Sequence, residues 1–222
     1  MTWQILIAST WVRTGKLDAL LSHLAPQIEP YAGEVGVLIA RDDCTEPIGD
    51  KRTSLVEAAT AEYVSFLDDD DWVPDNFIER IVDALASKPD YVGWRMQVIH
   101  DGRPLKPTFH SLRYQGWDED EHGFYRNVSH LNPIRRELAL LGLPFPSRYP
   151  EDGEWAAKVW QTGQVEREVF IDEPMYEYRT GSGVSLHDPS VERHAEWSPL
   201  PFYDFVSHLA SNGAVVRDSE YV

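Results

Sequence analysis

Two rhythms alternate along the first ninety residues. "WQILIAS" (3–9), "EVGVLIA" (34–40) and "YVSFLD" (63–68) are near-continuous apolar runs of strand length. Between the first two, "KLDALLSHLAPQI" places Leu17, Leu20, Leu21, Leu24 and Ile28 at helical spacing. "KRTSLVEAATAE" (51–62) predicts a second helix. "PDNFIERIVDALAS" (74–87) predicts a third, with Pro74 near its first turn and Ile78, Ile81, Val82 and Leu85 on one face. Strands apolar on both sides, alternating with helices, predict an α/β fold: a mostly parallel sheet with helices on both faces.

The pattern changes after residue 90. "YVGWRMQVIHDGRPLKP" (91–107) reads as two strands joined at Asp101-Gly102, a dipeptide suited to a hairpin turn. Residues 109–126 are polar, aromatic and irregular, and predict a small surface lobe. "NPIRRELALLG" (132–142) and "EDGEWAAKVWQTG" (151–163) predict helices, "EVFID" and "PMYEYR" short strands, and "WSPLPFYDFVSHLASNG" a C-terminal helix. One domain is expected, with a first half over 1–93, a second over 94–190 and a helical extension over 191–222.

Composition narrows the function classes. The chain has 222 residues, 37 acidic against 20 basic, for a net charge of −17. Phosphate neutralisation supplies most of the affinity for nucleic acid, so general nucleic-acid binding is disfavoured. No stretch approaches the roughly 20 apolar residues that span a bilayer. The first residues read as a strand rather than a signal peptide, so a cytoplasmic protein, bacterial or bacteriophage-encoded, is expected. With Cys44 the single cysteine, intramolecular disulfides and thiolate-clustered zinc are excluded.

The candidate chemistry lies in "VSFLDDDDWVP" (64–74), where Asp68, Asp69, Asp70 and Asp71 follow an apolar strand directly. Continuing the strand would put Asp68 and Asp70 on one face, Asp69 and Asp71 on the other. The run falls at the carboxyl end of a parallel strand, where open α/β sheets bind ligands. Like charges about 5 Å apart repel by roughly 3 kcal/mol at an effective dielectric of 20. A divalent cation with hard oxygen ligands relieves that repulsion. The plainer alternative has Asp71 or Asp75 capping the next helix while the others face water.

The stretch "GDKRTSLVEAATAEYVSFLDDDDWVPDNF" resembles the GT-A glycosyltransferases, specifically the inverting, family 2-like nucleotide-sugar enzymes. Arg52, Ala59, Glu62, Tyr63, Asp68, Asp70 and Pro74 hold the places of that family's motif; Thr53 and Ala61 depart from it. A second block, "IRRELALLGLPFPSRYPEDGEWAAKVWQTG", is similar to the family's later region, with Glu151 and Asp152 as its acidic pair. The resemblance implies a Rossmann-like GT-A fold with an acceptor-side lobe, and transfer of a sugar from a nucleotide diphosphate, UDP by default. Mn²⁺ or Mg²⁺ is the implied cofactor. The acceptor is left open among a glycan, a protein, a lipid-linked sugar and a modified nucleobase.

The resemblance also implies roles. Asp152 is the general base, with Glu151 as fallback, although both also suit the start of a helix. Thr10, Asp42, Asp43, Lys51, Arg52, Asp68 and Asp69 are assigned to the nucleotide sugar. Asp70 is assigned to the metal, with His187 of "GSGVSLHDP" completing its shell. His130, Asn132 and Trp94 are assigned to the acceptor, and Trp117 and Trp155 are further stacking platforms. Two rivals share some of these features. A D-x-D phosphatase would carry its aspartates on the first strand, and Trp72 stands where such enzymes have threonine or valine. A catalytically silent sugar- or nucleotide-binding module would keep the fold without turnover.

Overall fold

The computed structural model describes residues 2–180. Among the described residues ten strands form one sheet: β1 (Trp3–Thr10), β2 (Val35–Asp42), β3 (Tyr63–Phe66), β4 (Tyr91–His100), β5 (Arg103–Pro104), β6 (Thr108–His110), β7 (Asp118–Glu119), β8 (Phe124–Arg126), β9 (Ile134–Arg135) and β10 (Glu168–Thr180). Five α-helices accompany them: α1 (Thr14–Ile28), α2 (Ile48–Ala58), α3 (Phe77–Leu85), α4 (Arg136–Ala139) and α5 (Glu151–Gln161). The main path runs β2-β1-β3-β9-β4-β6-β8-β7, and β10 and β5 also pair with β4. β1 is parallel to both β2 and β3, so the carboxyl ends of all three open on one edge. The expected α/β architecture is the observed one, with antiparallel pairings concentrated in the second half.

Both faces of the sheet are covered. Trp3 and Ser65 share a face, joined by a hydrogen bond from Trp3 Nε1 to Ser65 Oγ at 3.0 Å. Phe77 of α3 packs on that face, its ring centroid 5.8 Å from Trp3 and 5.9 Å from Trp94. Phe66, one residue on, points to the opposite face. There it meets Phe145 at 5.7 Å, and Phe145 stacks on Trp155 of α5 at 5.1 Å. On α1, Leu17, Leu20, Leu21, Leu24 and Ile28 are all buried, as their spacing requires.

Some elements differ from the sequence expectation. The helix predicted over 132–142 shrinks to α4 and one 3-10 turn, because Ile134 bridges β3 and β4 and holds the chain extended. The two strands predicted around "EVFID" and "PMYEYR" are one strand with register shifts at Pro174. The hairpin turn at Asp101-Gly102 is present with positive φ at both residues (47° and 74°). The aromatic lobe carries the short strands β6, β7 and β8. No helix among the described residues is long and apolar enough to cross a membrane. His187 and the predicted C-terminal helix lie outside the described residues.

Candidate active site

The four aspartates do not continue β3. The strand ends at Phe66, and Asp68–Asp71 form a turn closed by Asp71 N–H donating to the Asp68 carbonyl at 3.3 Å. The turn still sorts the side chains in pairs: Asp69 and Asp71 are buried, Asp68 and Asp70 partly open. Their neutralisation comes from chain segments distant in sequence. Arg13, just past β1, reaches Asp69 Oδ1 at 2.6 Å and Asp70 Oδ2 at 3.1 Å. Lys16 lies 3.5 Å from Asp70. Arg52 on α2 reaches Asp68 Oδ1 at 3.0 Å. Three basic side chains thus share the neutralisation of the cluster.

Asp71 is handled differently. Tyr176 on β10 donates its hydroxyl to Asp71 Oδ2 at 2.8 Å and accepts the Asp68 N–H at 3.2 Å, and Arg179 N–H donates to Asp71 Oδ1 at 2.8 Å. Burial first, then the charge of Asp68, pushes the Asp71 carboxyl well above the ordinary carboxylate range against these bonds. Burial also raises Asp69, against its bonds from Ser9 and Arg13. The hydroxyl of Ser9 and the guanidinium of Arg13 occupy the Asp69 carboxylate, so the ribose contact expected of Asp69 is not open to it.

Arg52 ties the turn to the second block of the sequence. Its Nη1 meets Glu151 Oε1 at 2.5 Å, and both side chains are 7% exposed. Burial works against the guanidinium's charge, but Asp68, Glu151 and Asp152 together hold it protonated. Glu151, expected as the fallback base, is a buried counter-ion to Arg52 in this structure. Asp152, the next residue at the start of α5, keeps a side chain 27% exposed. Its Oδ1 accepts the Gly153 N–H at 2.8 Å, and its Oδ2 lies 3.9 Å from His130 Nδ1.

Two side chains expected at the nucleotide, Lys51 and Asp42, are engaged with each other. The Lys51 ammonium is buried and turned inward, bonded to the Ser9 carbonyl at 3.0 Å and Asp42 Oδ1 at 2.5 Å, rather than facing a diphosphate. Asp42 is occupied by that lysine and by the N–H groups of Thr45 and Glu46. Burial raises the Asp42 carboxyl, but the Lys51 bond and these backbone donors outweigh it and hold it below the ordinary range. Asp42 buttresses the β2–α2 loop, whereas the next residue, Asp43, is exposed. Thr10 ends β1 with Oγ1 buried and without a hydrogen-bond partner among the described residues.

On the acceptor side, Trp94 is fully buried against Phe77 and Asn132 is fully buried between His110 and the Val92 carbonyl. Both side chains, expected at the acceptor, are enclosed in the core. Trp155 likewise belongs to the core. Trp117 remains 44% exposed. It donates to the Val128 carbonyl at 3.3 Å, carries the Arg126 guanidinium 4.7 Å from its ring centroid, and lies beside Gly153. Sequence reading missed Arg13, Lys16, Tyr176 and Arg126. Arg13 and Lys16 had a usable signal, since they follow a strand whose carboxyl end must adjoin that of β3. Tyr176 had none.

The profile of glycosyl transferase family 2 matches residues 25–140, a span that holds Arg52, the aspartate turn and Trp117, while Arg13, Lys16, Glu151, Asp152 and Tyr176 lie outside it. The chain belongs to glycosyl transferase family 2. Crystal structures of S. aureus TarS share the fold of this family 2 chain. TarS 1-349 in complex with UDP-GlcNAc aligns with a TM-score of 0.61 at 20% identity, over 96% of this chain and 66% of that one. Its complex with UDP gives 0.61 at 19% identity, over 96% and 65%. A further TarS 1-349 structure gives 0.60 at 17%, over 81% and 60%. This chain thus spans between 60% and 66% of those three structures. No curated protein matches the chain.

A divalent cation can be weighed against the residues present. Among the described residues no three His, Cys, Asp or Glu side chains converge on a point. Mg²⁺-type ions at diphosphates take one or two carboxylates and fill the remaining shell with water and phosphate oxygen. Asp68 and Asp70 meet that lesser demand. Asp68 is bonded through Oδ1 and Asp70 through Oδ2, and their side chains are 28% and 29% exposed. The other oxygen of each is available to an ion.

Proposed function

We propose that this chain transfers a sugar from a nucleotide diphosphate to an acceptor hydroxyl, with inversion at the anomeric carbon. Family membership supports sugar transfer, and the TarS complexes with UDP-GlcNAc and UDP support UDP as the nucleotide. The observation that carries the reading is the Arg52 bridge. One buried guanidinium joins the D-x-D turn to the first residue of α5, leaving Asp152 as the adjacent open carboxylate.

The nucleoside lies across the carboxyl ends of β1 and β2, within reach of Thr10 Oγ1 and Asp43. Arg13, Lys16 and Arg52 set positive charge around the turn that meets the diphosphate. When bound at Asp68 and Asp70, Mn²⁺ or Mg²⁺ supplies charge neutralisation for the diphosphate leaving group. Asp152 takes the proton of the acceptor hydroxyl as its oxygen forms the new bond to the anomeric carbon. The bond from that carbon to the diphosphate oxygen breaks with its electron pair, and the nucleotide diphosphate departs. Trp117 offers the acceptor an apolar face beside the base.

Donor binding and turnover test the reading separately. Titration calorimetry with UDP and UDP-sugars, followed by hydrolysis of the bound donor without acceptor, identifies the donor. Asp152→Asn should then lower transfer by about 10² to 10⁴-fold, the range of a general base, with UDP affinity unchanged. A chain that binds UDP-sugar and loses nothing with Asp152→Asn is a binding module rather than this enzyme. EDTA should lower transfer, and Asp70→Asn should reproduce that loss.

A further inference from the structure

His130 lies beside Asp152 and within the field of the Arg52 charge. The side chain is buried, its ring tilted against Phe66 at 5.6 Å, and its backbone carbonyl accepts the Phe66 N–H at 2.9 Å. Neither ring nitrogen has a hydrogen-bond partner among the described residues. The nearer one, Nδ1, stops 3.9 Å from Asp152 Oδ2, too far for a hydrogen bond. The neighbouring buried histidine differs: His110 Nδ1 meets Asn132 Oδ1 at 2.6 Å. Burial in this region therefore does not by itself leave an imidazole unmatched. Most buried polar atoms have a partner, and two unpartnered nitrogens on one ring beside the site call for an explanation, of which a bound group is one.

The chemistry of the ring narrows what that group is. Burial, then the Arg52 charge and His110, hold the His130 imidazolium well below its ordinary range, so the ring is neutral at pH 7. A neutral imidazole has one donor and one acceptor nitrogen. The Asp152 carboxylate on the Nδ1 side favours the tautomer with the proton there, leaving Nε2 as an acceptor. Between the cations that meet a diphosphate and the base that meets the acceptor lies the sugar being transferred. A hydroxyl or amide N–H on that sugar is the donor that Nε2 lacks.

We propose that His130 is a donor-sugar specificity residue: Nε2 accepts a hydrogen bond from a hydroxyl or amide N–H of the transferred sugar while Nδ1–H turns toward Asp152. The inference rests on the sugar-transfer reading above and adds the group that reads the sugar. Glutamine and asparagine separate the two nitrogens, because the glutamine amide reaches the Nε2 position and the asparagine amide only the Nδ1 position. Phenylalanine keeps the ring and removes both.

The experiment is calorimetric titration of the wild type and of His130→Gln, His130→Asn and His130→Phe, each with UDP, UDP-GlcNAc, UDP-glucose and UDP-galactose. The wild type should bind one of these sugars more tightly than UDP. His130→Asn and His130→Phe should lose about tenfold in affinity for that UDP-sugar, the worth of one good hydrogen bond, and hold UDP within about twofold. His130→Gln should keep the preference. An unchanged preference in His130→Asn and His130→Phe overturns the proposal, as does its loss in His130→Gln. Equal loss of UDP and UDP-sugar in all three variants overturns it by showing a purely structural role. A wild type that binds UDP with no gain from any sugar removes this inference alone, whereas one that binds no nucleotide removes the sugar-transfer reading beneath it.

Discussion

Replacing Arg52 by methionine leaves two carboxylates without their cation, one of them buried. The gross attraction between Arg52 and Glu151 at 2.5 Å is about 7 kcal/mol at an effective dielectric of about 20. Desolvation of both groups offsets part of it. Removing one partner of such a pair costs about 3 to 5 kcal/mol, because the other charge stays buried and unpaired. Asp68, more open and backed by the Tyr176 hydroxyl at its N–H, adds less. In urea denaturation, with a slope of about 2 to 3 kcal/mol per molar, a loss of about 4 kcal/mol lowers the midpoint by roughly 1.3 to 2 M.

The sign with pH follows from the same charge. Orphaned carboxylates disfavour folding while ionised, and protonation relieves them. The deficit of Arg52→Met should therefore be full at pH 7 and narrow as pH falls toward about 4. A second replacement, Glu151→Met, should restore much of the stability by converting the pair to an apolar contact. A deficit under about 1 kcal/mol, or one that is the same at pH 7 and pH 4, would refute the bridge as the link between the turn and α5.

Three further outcomes are expected. Asp71 has its carboxyl raised above the unfolded value, so its ionisation costs stability as pH rises from about 4. Asp71→Asn keeps the Arg179 N–H bond and lets the Tyr176 hydroxyl accept instead, so thermal melts should show a gain at pH 7 that disappears near pH 4. Trp117→Ala should raise the acceptor KM on the order of tenfold, equivalent to about 1.4 kcal/mol, and leave donor hydrolysis without acceptor unchanged. Gly49→Ala would stabilise an exposed helix, but here a Cβ overlaps the Pro146 carbonyl oxygen. Denaturation should instead show a loss of about 1 to 3 kcal/mol, as α2 is pushed from the loop that leads to α5.

Local signals in the sequence settled the frame. Near-continuous apolar runs at 3–9, 34–40 and 63–68, short and bounded by polar segments, read as strands buried on both faces, and the Leu17-to-Ile28 spacing as one buried side of a helix. The four aspartates at the end of such a strand marked the ligand edge, because position in an α/β unit fixes which end of the strand opens. What the sequence left open was how those charges are tolerated and which residues around them are free. Arg13, Lys16, Arg52 and Tyr176 reach the turn from separate segments, and no periodicity encodes meetings between residues 16 to 105 positions apart. Burial then divided look-alike neighbours: Asp42 from Asp43, Glu151 from Asp152, Trp94 from Trp117. In each pair the residue types are the same or nearly so, and only packing determines which side chain is engaged inside the fold and which stays open to solvent.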